Sequence, residues 1–146
     1  MPPNQSESEP QAAAVEARGL IRRYGKVEAV KGIDLTVWKG EVFGLLGSNG
    51  AGKSTTLRML CGLVVPTSGE ARICGLDVWQ ESMAARRQLG YLDENPIVYP
   101  YLTGREFLNL VADLYGLEAG AGRAKRIERL LETLVIQEKA DELISG

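Results

Sequence analysis

The apolar residues of this chain follow two periodicities in turn. In "AVKGIDLTVWKG", Ile33, Leu35 and Val37 alternate with Asp34, Thr36 and Trp38, the period-two pattern of a strand with one buried face. Upstream, Val15, Ala17, Leu20 and Tyr24 in "VEARGLIRRYG" alternate more loosely and predict another strand, with order beginning near Val15. After a Lys39-Gly40 turn comes "EVFGLLG", a short, wholly apolar run of the kind buried on both faces of a sheet. "KSTTLRMLCGLVV" then places Leu57, Leu60, Cys61 and Val64 at helical spacing, with Pro66 as the stop. "SGEARICGLDV" reads as one strand between turns, "QESMAARRQL" as a short helix, and "LGYLDE" as a strand leading into a loop.

From Leu102 the pattern turns helical. Thr103 and Glu106 form a T-x-x-E capping box, and Phe107, Leu110, Val111 and Leu114 behind it mark one helical face. "YGLEAGAG" breaks the helix. A second helix follows, in which Ile127, Leu130, Leu131 and Leu134 repeat the i, i+3, i+4, i+7 spacing. Residues 1–15 are rich in Pro, Ser, Gln, Glu and Ala with almost no large apolar side chain. Such a segment cannot offset its ordering entropy, and a disordered tail is expected there. The expected organisation is an α/β chain with a strand-rich core over 16–93 and a loop plus helical block over 94–146.

Composition narrows the function classes. A chain of 146 residues suits one ordinary domain with a real core. Its net charge of -2 argues against nucleic acid as a partner, since that grip needs a basic surface. The longest apolar runs fall far short of the ~20 residues that span a bilayer. The N-terminus lacks the basic-then-apolar order of a secretory signal. Cys61 and Cys74 lie in apolar contexts and read as buried, reduced thiols. With no histidine and only those two sulfurs, no nitrogen- and sulfur-based metal set exists.

The candidate chemistry lies in "LLGSNGAGKSTT". Gly47, Gly52, Lys53 and Ser54 match G-x-x-x-x-G-K-[ST]. Glycines let the backbone curl so that successive N–H groups point inward at phosphate oxygens. The helix that follows directs its positive end at the same anion. Lys53 supplies a compact charge for the β- and γ-phosphates, and the Ser54 hydroxyl a ligand for Mg²⁺. With this chain's Gly, Lys and Ser/Thr frequencies, the pattern arises by chance in about one such sequence in a hundred. An apolar run before it and an apolar-periodic helix after it lower that further. A GTPase would need a guanine-reading N-K-x-D, which is absent. The one D-x-x-G, Asp113 to Gly116, lies on a helical segment. A nucleoside kinase stays open as an alternative, without a base or acceptor pocket to support it.

The longer string "GEVFGLLGSNGAGKSTTLRMLCGLVVPTSGEARICGLDV" closely resembles the ATP-binding subunit of ABC transporters. "LGYLDENPIVYPYLTGREFL" resembles the segment that joins core and helical subdomain there. The likeness runs from about residue 18 to the end and is closest to drug-efflux, antibiotic-resistance and Na⁺-type exporters. It implies an ABC-type P-loop NTPase core with a mixed sheet and the start of a helical subdomain, ending before the signature motif. It also implies ATP and Mg²⁺ as cofactors. By resemblance, Gly47, Ser48, Asn49, Gly50, Ala51, Gly52, Lys53, Ser54 and Thr55 form the phosphate loop. Tyr24 takes the position of the aromatic that stacks on adenine, with a core tyrosine at a strand end as the alternative. Glu94 stands where the family usually has a coupling glutamine. A carboxylate there can ligate Mg²⁺, yet it cannot donate as an amide does, and a solvated acidic loop is the alternative. Tyr99, Pro100 and Tyr101 fall on the face that docks a transmembrane permease, unless they only cover a helix end. The implied location is cytoplasmic, peripheral to the inner membrane face through that partner. A second ATP-binding subunit is the implied partner in nucleotide binding.

The family also has, after the helical block, an L-S-G-G-Q-like signature, a Walker B aspartate, a catalytic glutamate and a switch histidine. None occurs in these 146 residues. The expectation is therefore the binding half of an exporter ATPase, holding Mg·ATP without turnover. The alternative is a stand-alone, non-hydrolysing nucleotide module or half of a split protein. With further sheet strands supplied by the absent half, an open sheet edge and exposed apolar surface are expected.

Overall fold

The computed structural model describes residues 12–145; of the tail expected over 1–15, residues 1–11 lie outside them. The chain forms two compact units, Met1–Tyr91 and Leu92–Gly146.

In the first unit a four-stranded antiparallel sheet has the order β2-β1-β3-β4. β1 is Ala13–Tyr24, β2 Val27–Trp38, β3 Ser68–Ile73 and β4 Leu76–Asp77. Helix α1, Lys53–Leu60, and the short α2, Ser82–Arg86, belong to the same unit. The alternation read in β2 is present: Ile33, Leu35 and Val37 are half-buried and their neighbours exposed. β1 alternates loosely because it is bulged. Its buried residues Ala17 and Leu20 are three apart, and the pairing shifts register between them. Gly19 supplies the bulge with φ +54 and donates its N–H to Asp34 Oδ1 at 2.7 Å. "SGEARICGLDV" is a hairpin rather than one strand. Cys74 and Gly75 both take positive φ, +50 and +83, the two-residue turn that matches strand twist. That turn leaves Cys74 exposed, against the expectation of a buried thiol. Cys61 is half-buried, and burial pushes its thiol pKa up.

The core of this unit is Ala17, Leu20, Val30, Met59, Leu60, Ala71, Ile73, Val78 and Ala85. Helix α1 buries Thr56, Met59 and Leu60, whereas Leu57 is exposed. It ends at a Schellman turn, well before Pro66. Gly62, at φ +68, donates to Met59 O at 2.9 Å, and Leu63 donates to Arg58 O at 2.8 Å.

Two segments expected as strands are not strands. Residues 41–48 and 89–93 carry no secondary structure, and Val42 and Leu46 are 99% and 93% exposed. A wholly apolar strand is held by partners on both edges and cover on both faces, and no strand among the described residues pairs with either segment.

In the second unit, α3 is Gly104–Leu114, α4 is Ala121–Leu134, and a 3₁₀ turn follows at Gln137–Lys139. The capping box forms as predicted: Glu106 N–H donates to Thr103 Oγ1 at 3.2 Å, and Thr103 N–H to Glu106 Oε2 at 2.8 Å. Ile127, Leu131 and Ala140 are the buried cluster, with Leu108 against it. Leu114, Leu130 and Leu134, expected on the packed faces, are largely exposed. Polar ties replace them. Arg105 binds both Glu128 and Asp141. Arg123, 8% exposed, donates to Asp113 at 2.7 Å and to the carbonyl oxygens of Leu117 and Asn109. That contact holds the Asp113 carboxyl below its usual pKa.

Candidate functional site

The glycine-rich loop runs from the end of the exposed apolar segment into α1. Gly50 and Gly52 take φ +79 and +86, a region closed to ordinary side chains. Ala51 N–H donates to Ser48 O at 3.2 Å. The ammonium of Lys53 donates to the carbonyl oxygens of Gly47 and Ser48 at 2.6 and 2.8 Å. The loop therefore curls around the lysine head.

Gly52 is the N-cap of α1, and it offers no side-chain cap. No acidic residue stands in the first turn. The free N–H groups and positive end of the helix thus meet no carboxylate of their own. Gly52 is required for a second reason. A Cβ at this position would run into the carbonyl oxygen of Ala29 and lie 3.1 Å from Val30 Cγ2. The cradle's last glycine is pressed onto β2, which fixes the loop against the sheet. Thr56, absent from the sequence-based site, sits fully buried beneath it, and its hydroxyl donates to Gly52 O at 2.9 Å. The threonine pair in "KSTT" was the signal available, because a Thr four residues into a helix can bond back to the first carbonyl.

Ser48, Asn49, Gly50, Ala51 and Ser54 are exposed, and Gly52, Lys53 and Thr55 half-buried. An anion approaching the loop reaches its backbone N–H groups and the lysine without displacing a core residue. Tyr24 closes β1, paired with Val27 across the hairpin, and is 48% exposed, so it is not a core tyrosine. The Arg22 guanidinium lies 4.4 Å from its ring centroid. The hairpin end that carries Tyr24 and the bed under Gly52 are both built by β2, through Val27 and Ala29 respectively.

Glu94, Tyr99, Pro100 and Tyr101 belong to the second unit. Glu94 is exposed on a bend. Tyr99 packs between Tyr101 and Phe107, with ring centroids 5.7 and 6.3 Å away. It therefore covers the start of α3 while Tyr101 stays 68% exposed. Tyr99, Tyr101, Glu106, Leu110 and Asp113 line an open cavity of about 400 Å³ with no basic residue.

No group of histidine, cysteine and carboxylate residues suited to a metal ion exists among the described residues. Ser54 with a nucleotide's own oxygens fits the hard, oxygen-rich shell of Mg²⁺, which needs no such cage. No helix among the described residues is long and apolar enough to cross a membrane.

The family model described as ABC transporter matches residues 30–146. The chain is 40% identical over 144 residues to the probable multidrug ABC transporter ATP-binding protein YbhF of Escherichia coli, covering 96% of this chain and 25% of that protein. It is 39% identical over 130 residues to the linearmycin resistance ATP-binding protein LnrL of Bacillus subtilis, covering 89% of this chain and 42% of that one. A solved structure of an ATP-binding subunit of an ABC transporter superposes with a TM-score of 0.75 at 32% identity, covering 89% of this chain and 54% of the other. The chain thus spans well under two thirds of the length of these proteins. ABC ATPase domains bind ATP, typically with Mg²⁺, and the ATP-binding subunits of transporters work with transmembrane permease subunits. A glycine-rich loop running into the uncapped start of α1, on an α/β core that superposes on an ABC subunit, agrees with the family match: this chain belongs to the ABC transporter family, with the fold of an ABC-type P-loop NTPase.

Proposed function

We propose that these residues form the nucleotide-binding part of the ATP-binding subunit of an ABC exporter. The observation that carries this reading is the seating of Gly52 on the Ala29 carbonyl. It holds a curled backbone loop at the bare positive end of α1. In this reading the backbone of residues 47–55 cradles the phosphates, and Lys53 exchanges its carbonyl partners for phosphate oxygens. Tyr24 stacks on adenine. Ser54 would ligate Mg²⁺, which neutralises phosphate charge when bound, and Glu94 keeps the coupling position that the resemblance implies. In this reading the chain's own contribution is binding and orientation of the nucleotide.

The surface around Tyr99, Pro100 and Tyr101 is the proposed face for a transmembrane permease, with exposed aromatic area beside carboxylates. A second ATP-binding subunit is the proposed partner across the nucleotide. The implied location is the cytoplasmic face of the membrane, reached through the permease. Export is favoured by the relatives, a probable multidrug ABC transporter ATP-binding protein and a linearmycin resistance ATP-binding protein. The test is calorimetric binding of Mg·ATP by the 146-residue chain and by Lys53→Ala. Binding lost in the variant supports the cradle; equal binding refutes it. Co-purification from cells with a membrane subunit tests the partner.

A further inference from the structure

Arg22 is tied up in an unusual way for a residue on a strand of this sheet. Its guanidinium carbon stands 4.4 Å from the centroid of the Tyr24 ring, inside cation–π range. Nη1 donates to the carbonyl oxygen of Val65 at 2.7 Å, on the segment that follows α1. Nε is buried and has no hydrogen-bond partner among the described residues. The side chain is thus anchored at one end by a carbonyl and covers an aromatic ring with the rest, leaving a donor unsatisfied to do so. Tyr24 remains 48% exposed, so the covered ring still offers surface to a ligand. Across the hairpin Arg22 pairs with Val30, the residue whose Cγ2 borders Gly52. One strand pair therefore underlies both the tyrosine and the last glycine of the cradle.

We propose that Arg22 is a positioning residue for the nucleotide base. It holds the Tyr24 ring in a fixed orientation by cation–π contact, with Val65 O as its own anchor, so that the base stacks on a ring already ordered. This rests on the reading of Tyr24 as the base-stacking residue. Ordering the ring before binding removes part of the entropy lost on association. The phosphate cradle gains nothing from it, and that separation makes the idea testable.

The experiment compares Mg·ATP with Mg·tripolyphosphate, which has no base, by calorimetry on the 146-residue chain. Arg22→Met should weaken Mg·ATP about two- to fivefold, the size of one exposed cation–π contact, and leave tripolyphosphate unchanged. Arg22→Lys, which keeps a cation over the ring, should recover part of the loss. In a Tyr24→Ala background, Arg22→Met should have no further effect. The proposal is overturned if Arg22→Met weakens both ligands equally, or if its effect persists without Tyr24. It is equally overturned if Tyr24→Ala loses Mg·ATP affinity while Arg22→Met does not. Full Mg·ATP affinity in Tyr24→Ala would remove the stacking reading itself, and the role of Arg22 with it. Should Arg22→Met not fold, Arg22→Lys against Tyr24→Ala carries the same comparison.

Discussion

The carbonyl oxygen of Ala29 occupies the space that a side chain at Gly52 would need. A strand backbone and a loop glycine are thus in direct contact, and the glycine-rich loop is held by shape as well as by hydrogen bonds. Gly50 shares the positive φ of Gly52, but a Cβ there would meet nothing within 4 Å.

The two glycines should therefore respond differently to alanine. Gly50→Ala is expected to cost about 1–2 kcal/mol, the strain of a left-handed residue. Gly52→Ala adds a backbone clash to the same strain, so its loss of stability should be larger and nucleotide binding should disappear. Denaturant melts of both variants, with Mg·ATP titrations, check the contrast. Equal melting of the two would show that the Ala29 contact yields freely.

Lys53→Ala should weaken Mg·ATP by roughly tenfold to a hundredfold, as expected for loss of charge-assisted bonds of about 1.5–3 kcal/mol. Its melting midpoint should hardly move, because among the described residues the ammonium bonds to carbonyl oxygens of its own exposed loop. The 146-residue chain itself should show no steady ATP turnover. Phosphate release abolished by Lys53→Ala would contradict that.

Arg123 is expected to be the polar keystone of the helical unit. Arg123→Met removes the guanidinium donor from the Asn109 and Leu117 carbonyl oxygens and should destabilise by about 1–3 kcal/mol, read by circular dichroism melts. The pH dependence follows from Asp113, whose carboxyl pKa is lowered by its bond to Arg123. A folded-state value below the unfolded one stabilises above the ordinary carboxylate range. That contribution is lost as pH falls through the lowered value. Asp113→Asn should therefore be less stable than the parent at neutral pH and converge with it in acid. Parallel curves at every pH would remove the pair as the cause.

Val42 and Leu46 stand almost fully exposed on a segment without secondary structure and with no strand partner among the described residues. The purified 146-residue chain should self-associate through this surface. Val42→Glu with Leu46→Glu should lower the sedimentation-derived mass without changing the melting midpoint. An unchanged mass distribution would place any association elsewhere.

Several features were legible in the residues alone. The spacing of Gly47, Gly52, Lys53 and Ser54 identified the loop, the alternation of Ile33, Leu35 and Val37 identified β2, and Thr103 with Glu106 identified the start of α3. Each depends on contacts within a few residues of chain, where spacing and chemistry specify the geometry. The bulge at Gly19, the hairpin at Cys74-Gly75 and the buried face of α1 were not legible, because each depends on a neighbouring strand. The same holds for the exposure of Leu114, Leu130 and Leu134: helical spacing says which residues share a face and cannot say whether anything packs there.

What the sequence determined by itself is the family, through the long string from Gly40 to Val78, and the curl of the glycine-rich loop into a helix start, which is encoded within eight consecutive positions. What only the tertiary structure decided is why Gly52 admits no side chain and why Arg22 lies over Tyr24. It also decided that the apolar run before the loop has no strand partner among the described residues. Those depend on contacts between residues that are close in space and distant in the chain, and no local pattern records them.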